Sequence, residues 1–113
     1  MDEKDLIIIF ATAPKHETAL HIARQLVDRK LVACVNIIEG ITSVYRWEAR
    51  ICEDKEVLMK IKTRSEKIEQ VKEMINQLHP YAVPEIIAIP TASVAEPYRK
   101  WVFDSTTCAS FSL

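Results

Sequence analysis

Apolar positions in this chain change their period along its length, and the period predicts the element. Leu6-Ile7-Ile8-Ile9-Phe10-Ala11 is an unbroken β-branched and apolar run, the pattern of a buried strand. Pro14 then marks the entry to a helix, where a missing N–H does no harm. Ala19, Leu20, Ala23, Leu26 and Val27 recur at helical spacing and make one apolar stripe, and Arg29 and Lys30 follow at the end that suits cations. Leu31 to Trp47 reads as one long strand, interrupted near Glu39-Gly40, where a lone glycine predicts a bulge or bend. A turn is expected within Ala49 to Asp54. From Glu56 to Lys62 the chain alternates: Val57, Met59 and Ile61 face one way, Glu56, Leu58, Lys60 and Lys62 the other. Thr63-Arg64-Ser65-Glu66 has capping-box spacing, and Ile68, Val71, Ile75 and Leu78 supply the stripe of a second helix. His79-Pro80 ends that helix, because the residue before proline avoids helical geometry. Glu85 to Ile89 reads as a fourth strand, Tyr98 to Phe103 as a short terminal helix, and Ser105 onward as a frayed tail.

The order is β-α-β-β-α-β, which predicts an α+β, ferredoxin-like sandwich with a long central hairpin and a short C-terminal helix, as a single domain over residues 1–113. An open flavodoxin-like sheet is the rival, and the central hairpin and the lack of glycine-rich strand-to-helix turns argue against it. Right-handed crossovers place both helices on one face of the sheet. The other face is expected to be polar at every second position in a soluble monomer. It is not: Ile7 and Ile9 oppose Leu6, Ile8 and Phe10, while Ile87 and Ile89 oppose Ile86 and Ala88. The strand ending at Trp47 would extend on the order of 50 Å, against a radius of gyration of about 13 Å for a domain of this size. Both features predict a homo-oligomer built on sheet faces and strand edges.

Composition narrows the chemistry. Apolar residues make up 49% and charged residues 27%, with a net charge of −1, which gives no reason to expect nucleic acid as a partner. No stretch has the length of a membrane span, so no membrane partner is expected either. The only glycine is Gly40, so neither a phosphate-binding P-loop nor a dinucleotide fingerprint can be present. Cys34, Cys52 and Cys108 are odd in number and lack C-x-x-C spacing, and read as reduced thiols. The opening Met1-Asp2-Glu3-Lys4-Asp5 does not resemble a secretory signal, and the expected location is cytoplasmic. No nucleophile elbow, zinc-protease motif or paired-carboxylate signature occurs, and no enzymatic activity is expected.

Several spaced motifs resemble the CutA family of divalent-cation tolerance proteins: Leu31-Val32-Ala33-Cys34-Val35-Asn36-Ile37, then Gly40 to Glu48, then Lys62-Thr63, then His79-Pro80-Tyr81-Ala82-Val83-Pro84-Glu85-Ile86. Thr12-Ala13-Pro14 and Tyr98-Arg99-Lys100-Trp101-Val102 match its two ends, so the resemblance runs from about Leu6 to Phe103. It implies a homotrimer with sheets packed inward and a role in tolerance of divalent metals, copper especially. Some bacterial members carry a cysteine where this chain has Ala11 and a histidine where it has Leu78, both among proposed copper ligands. Their absence leaves Glu85 as the matching ligand. The chain also has Ala49 where a glycine is usual.

The candidate residues follow. Glu85, at the head of an apolar strand, suits a hard or borderline divalent ion, or pairs with Lys62. His79 offers a ring nitrogen to a metal, or ends its helix by bonding to backbone. Lys62 is singled out by the family pattern, and with Tyr81 and Trp47 it is expected in a cleft between subunits. No cofactor is certain; copper or another divalent cation is the candidate. The expected function is divalent-cation tolerance through weak metal binding by the trimer. A small-molecule signalling trimer like the PII proteins, and an anchoring trimer without a ligand, are the alternatives.

Overall fold

β1 (Leu6–Ala13) is the strand on which the rest is assembled. In the computed structural model, which describes residues 5–107, it pairs antiparallel on one side with β3 (Arg50–Arg64) and on the other with β4 (Ile86–Pro90). β2 (Cys34–Trp47) lies outside β3, giving the order β2-β3-β1-β4. α1 (His16–Asp28) and α2 (Ile68–Leu78) connect these strands, and α3 (Glu96–Ser105) closes the described chain. This is the ferredoxin-like α+β arrangement.

Both long helices bury their stripes on the same sheet face. Ala19, Ile22 and Leu26 of α1 and Val71 and Ile75 of α2 form one cluster with Ile7, Ile9, Ala11, Val57, Met59 and Ile61. Each fully buried Ile or Leu contributes roughly 1.5–3 kcal/mol. The α1 stripe is rotated from the expected one: Ile22 is buried, whereas Val27 is exposed. Val27 follows the fully buried Leu26 by one residue, about 100° around the helix, and so falls on the flank of the buried stripe.

The way α1 ends explains why β2 starts at Cys34 instead of Leu31. Lys30 takes a left-handed backbone (φ 59°), its N–H donates to the Val27 carbonyl, and the Leu31 N–H donates to Leu26. These are the two bonds of a Schellman cap, which consume Leu31 as helix closure. The Leu31 carbonyl then accepts from Thr63 Oγ1 at 2.7 Å. Thr63 is therefore a fully buried β3 residue, and the expected capping box is not formed: the turn Ser65–Lys67 is 3-10, and no side chain caps it or α2.

The bulge at Gly40 is present. Ile38 pairs with Leu58 but Ile41 pairs with Glu56, so Glu39 and Gly40 together oppose Val57, with Gly40 at φ 82°. The hairpin turn falls earlier than expected, at Glu48-Ala49, between the paired Trp47 and Arg50. Both turn residues are left-handed (φ 50° and 65°), as in a type I′ turn. β1 reaches only as far as Val57, so beyond it the hairpin continues as a two-stranded ribbon. Residues 50–55 carry no clear alternation because that ribbon stands clear of the helices. The molecule is accordingly elongated, 53 × 31 × 22 Å.

α3 begins at Glu96 and runs through Ser105, and Thr106 behind it is buried, with Oγ1 donating to the Val102 carbonyl at 2.9 Å. Ser105 and Thr106 thus belong to the helix and its end and not to a tail; the rest of the expected tail, residues 108–113 with Cys108, lies outside the described residues.

The left-handed turn residues set a stability test. Ala49→Gly removes a Cβ from a positive-φ position and is expected to stabilise by about 1 kcal/mol, whereas Gly40→Ala, where a Cβ would meet nothing within 4 Å, costs about 1–2 kcal/mol through backbone strain alone. Urea unfolding at one fixed protein concentration reads both; equal signs for the two would contradict the assignment.

Candidate functional site

Cross-strand partners share a face, so the register lays out the side of the sheet away from α1 and α2 in rows. Ile89, Ile8, Lys62 and Cys34 form one row, and Ile87, Phe10, Lys60 and Asn36 the next. Farther along come Thr12, Leu58 and Ile38, then Glu56 with Ile41, Asp54 with Ser43, and Cys52 with Tyr45. α3 covers only one end of this face: Val102 and Phe103 pack on Leu6, and the Arg64 guanidinium lies 5.4 Å from the Phe103 ring centre. The sequence-based expectation of a wholly bare face is corrected to that extent. The rest is open, with Ile38, Ile87 and Ile89 43–50% exposed.

At the other end, where the hairpin leaves the sheet and the segment after α2 passes beside it, a cleft of about 650 Å³ opens. The bulge at Gly40 builds it. Without the extra residue, Thr42, Val44 and Arg46 would share the open face; with it, Ser43, Tyr45 and Trp47 do. Glu56 is the buried carboxylate of the cleft. Ser43 Oγ donates to its Oε1 at 2.6 Å and the Tyr81 hydroxyl to its Oε2 at 3.1 Å. Tyr45 donates its hydroxyl to Asp54. Burial, then the bond to Glu56 and the negative charges of Glu56 and Asp54, push the Tyr81 phenol up. The bond to Asp54 is the main cause that raises Tyr45 to about 12. Both phenols therefore remain protonated donors at neutral pH. Among the described residues, no lysine or arginine lines the cleft.

Of the expected site residues, Trp47, Tyr81 and Glu85 come together here, all exposed. Lys62 does not join them within one chain. It lies six residues from Glu56 along β3, about 20 Å away at strand rise. It is nine-tenths buried, with Nζ donating to Asn36 Oδ1 and 3.5 Å from Cys34 Sγ. Lys62 does not pair with Glu85, because its ammonium is taken up by Asn36 and Cys34 on the β2 side of the sheet. His79 is buried and has no free ring nitrogen: the Tyr81 N–H donates to Nδ1 at 3.1 Å, so Nε2 carries the proton and donates to the Thr12 carbonyl at 2.7 Å. A metal ligand needs an open lone pair, so His79 serves as a backbone brace in this structure. Ala11 and Leu78 pack in or against the core under the helices, on the opposite side of the sheet from the cleft. Among the described residues, no three His, Cys, Asp or Glu side chains gather as a metal site. Glu56, Asp54, Ser43 and Tyr45 are the site residues that sequence reading did not select.

The Tyr45–Asp54 bond has a pH signature. A phenol whose pKa rises on folding contributes stability that is intact below its ordinary value near 10 and is lost as the pH climbs through about 12. Ultraviolet titration is expected to show one tyrosine ionising about two units late in the wild type, and at the ordinary position in Asp54→Asn. With Tyr81 and Tyr98 replaced by Phe in both proteins, so that Tyr45 alone titrates, a tyrosine that stays equally late in Asp54→Asn would contradict the assigned cause.

Residues 7–105 match the family model described as "CutA1 divalent ion tolerance protein". The divalent-cation tolerance protein CutA of Thermus thermophilus is 42% identical over 99 residues, covering 88% of this chain and 96% of that protein. A CutA homolog of Xenopus laevis is 48% identical over 95 residues, covering 84% of this chain but 63% of that longer protein. The crystal structure of CutA1 from Ehrlichia chaffeensis superposes with a TM-score of 0.89 at 34% identity, covering 95% of this chain and all of that one. Relatives also correct the cytoplasmic expectation. The Arabidopsis thaliana relative, 42% identical, is named chloroplastic, and the Archaeoglobus fulgidus structure, 37% identical with a TM-score of 0.88, is called a periplasmic protein. Compartment is addressed by segments outside a fold, so thiol usage and four charged residues near the N-terminus did not determine it. Agreement in sequence over nearly the whole fold, and in the fold itself, places this chain in the CutA1 divalent ion tolerance protein family.

Proposed function

We propose that the chain acts in divalent-cation tolerance as a homotrimer that binds copper or another divalent ion weakly and catalyses no reaction. Membership of a family named for ion tolerance is the observation that carries this reading. Self-association is supported by the open sheet face, where Ile38, Ile87 and Ile89 stay half exposed beside Phe10 and Leu58. Two unpaired sheet edges, β2 and β4, support it further. The number three comes from the resemblance.

The cleft offers oxygen donors, Glu85, Glu56 and Asp54, which suit hard or borderline divalent ions. Glu56 already accepts two hydrogen bonds, so Glu85 is the ligand most open to an ion. One carboxylate with its neighbours partly engaged makes a weak site, completed by water or by another copy. His79 enters only if its two backbone bonds break. A signalling role with an anionic ligand draws no support from a cleft lined by carboxylates and lacking cations.

Sedimentation equilibrium at micromolar concentration is expected to give three times the 13.0 kDa chain mass; a stable dilute monomer would refute the assembly. In calorimetric titrations, copper(II) or zinc(II) is expected to bind weakly to the wild type and more weakly still to Glu85→Ala. Unchanged heats in that variant would place any metal site elsewhere.

A further inference from the structure

At the α3 end of the open face, β2 and β3 bring a thiol and an amine together. Cys34 and Lys62 are direct cross-strand partners, and the Ala33 N–H donates to the Lys62 carbonyl at 2.9 Å, which fixes the register there. Side chains so opposed start about 4.5–5.5 Å apart at their Cβ atoms. Lys62 leans toward β2: Nζ donates to Asn36 Oδ1 and stands 3.5 Å from Cys34 Sγ. α3 adds a third group, because the Tyr98 hydroxyl bonds to the same sulfur. Burial, then the charge and hydrogen bond of Cys34, push that phenol up, so it stays a protonated donor at neutral pH. Lys62 is nine-tenths buried, whereas Cys34 is only half-buried. The fold therefore holds the amine against the sulfur and leaves the sulfur within reach of small molecules. Cys52, the other described cysteine, meets the Arg50 carbonyl instead of an amine.

A partly accessible sulfur beside a cation is the setting in which protein thiols are oxidised. We propose that Cys34 and Lys62 form a reversible covalent crosslink, a sulfenamide joining Sγ to Nζ, when the protein meets a peroxide. In the first step hydrogen peroxide oxidises the thiol to a sulfenic acid and is itself reduced, with one water released. In the second the Lys62 ammonium gives one proton to solvent, and the nitrogen lone pair attacks sulfur. The S–N bond forms and the S–O bond breaks. The departing hydroxide takes a second proton from nitrogen and leaves as water. A thiol reverses the link by attacking sulfur: the amine is released, a mixed disulfide forms, and a second thiol frees Cys34. The crosslink erases a buried positive charge and ties the edge strand β2 to β3 at its first residue. It needs neither a bound metal nor a second copy, so it stands apart from the function proposed above.

The test uses the full chain carrying Cys52→Ser and Cys108→Ser, so that Cys34 is the only thiol and no disulfide can form within a chain. After treatment with hydrogen peroxide, the intact mass is expected to fall by two hydrogen atoms. Proteolysis is expected to yield one linked species that holds both Cys34 and Lys62, and dithiothreitol to restore the starting mass. Adding Lys62→Arg is expected to abolish the link and to let Cys34 gain oxygen atoms instead, with circular dichroism to check folding. Should that variant not fold, Lys62→Met keeps the packed stem without the amine. Gain of oxygen alone at Cys34 with Lys62 present, or a link that survives loss of the Lys62 amine, would overturn the proposal. Covalent dimers through Cys34, or a link that retains an oxygen atom between sulfur and nitrogen, would overturn it as well.

Discussion

The constraint on which this structure depends is a sheet with two apolar faces and helices enough for one. β1 sets it up, because Ile7 and Ile9 lie under α1 and α2 while Ile8 and Phe10 look the other way. Helix packing makes the first face a core. On the second face, α3 closes over Leu6 and stops. What remains is too apolar for a solvated surface and too charged at its ends for an ordinary core. Family membership, the open edges and the split of charge on that face are consistent with one account, in which the second layer is supplied by other copies.

The single glycine decides where the chemistry can sit. An extra residue at Gly40 changes which half of β2 looks toward the open face, and so delivers Ser43, Tyr45 and Trp47 to the same side as Glu56. The cleft is therefore a product of backbone register more than of any local motif. His79 holds the other wall, joining the chain after α2 to β1 through Thr12. A residue type associated with metals is used here as carpentry, and the phenol–carboxylate pairs become the polar content of the site.

Most of the fold was legible in the sequence because its signals are periodic and local: the β1 run, the α2 stripe, the stop at His79-Pro80 and the lone Gly40 each mean one thing physically. The errors have physical causes too. Leu31 is apolar and β-compatible, yet the Schellman cap at Lys30 claims it. Thr63 looks like a helix cap but reaches a carbonyl 32 residues away. Residues 50–55 show no alternation because both faces of the ribbon meet solvent. The site was less legible. Trp47, Tyr81 and Glu85 could be named from the resemblance, but Glu56 and Asp54 look like ordinary surface acids until the bulge fixes which neighbours they face. The grouping of Lys62 with Tyr81 and Trp47 is expected between subunits, and a single chain holds Lys62 apart from them.

The ribbon beyond Val57 has a mechanical consequence. From Ile41–Glu56 to Trp47–Arg50 it has seven rungs, and among the described residues no third strand lies beside them. Two-stranded ribbons are marginal in water. In a lone copy, the amides toward Trp47 therefore trade their protons with solvent sooner than those beside β1, and a protease finds its first opening there. Whatever clamps the tip slows exchange along its whole length, so the fingertip of the molecule reports on contacts made by the palm.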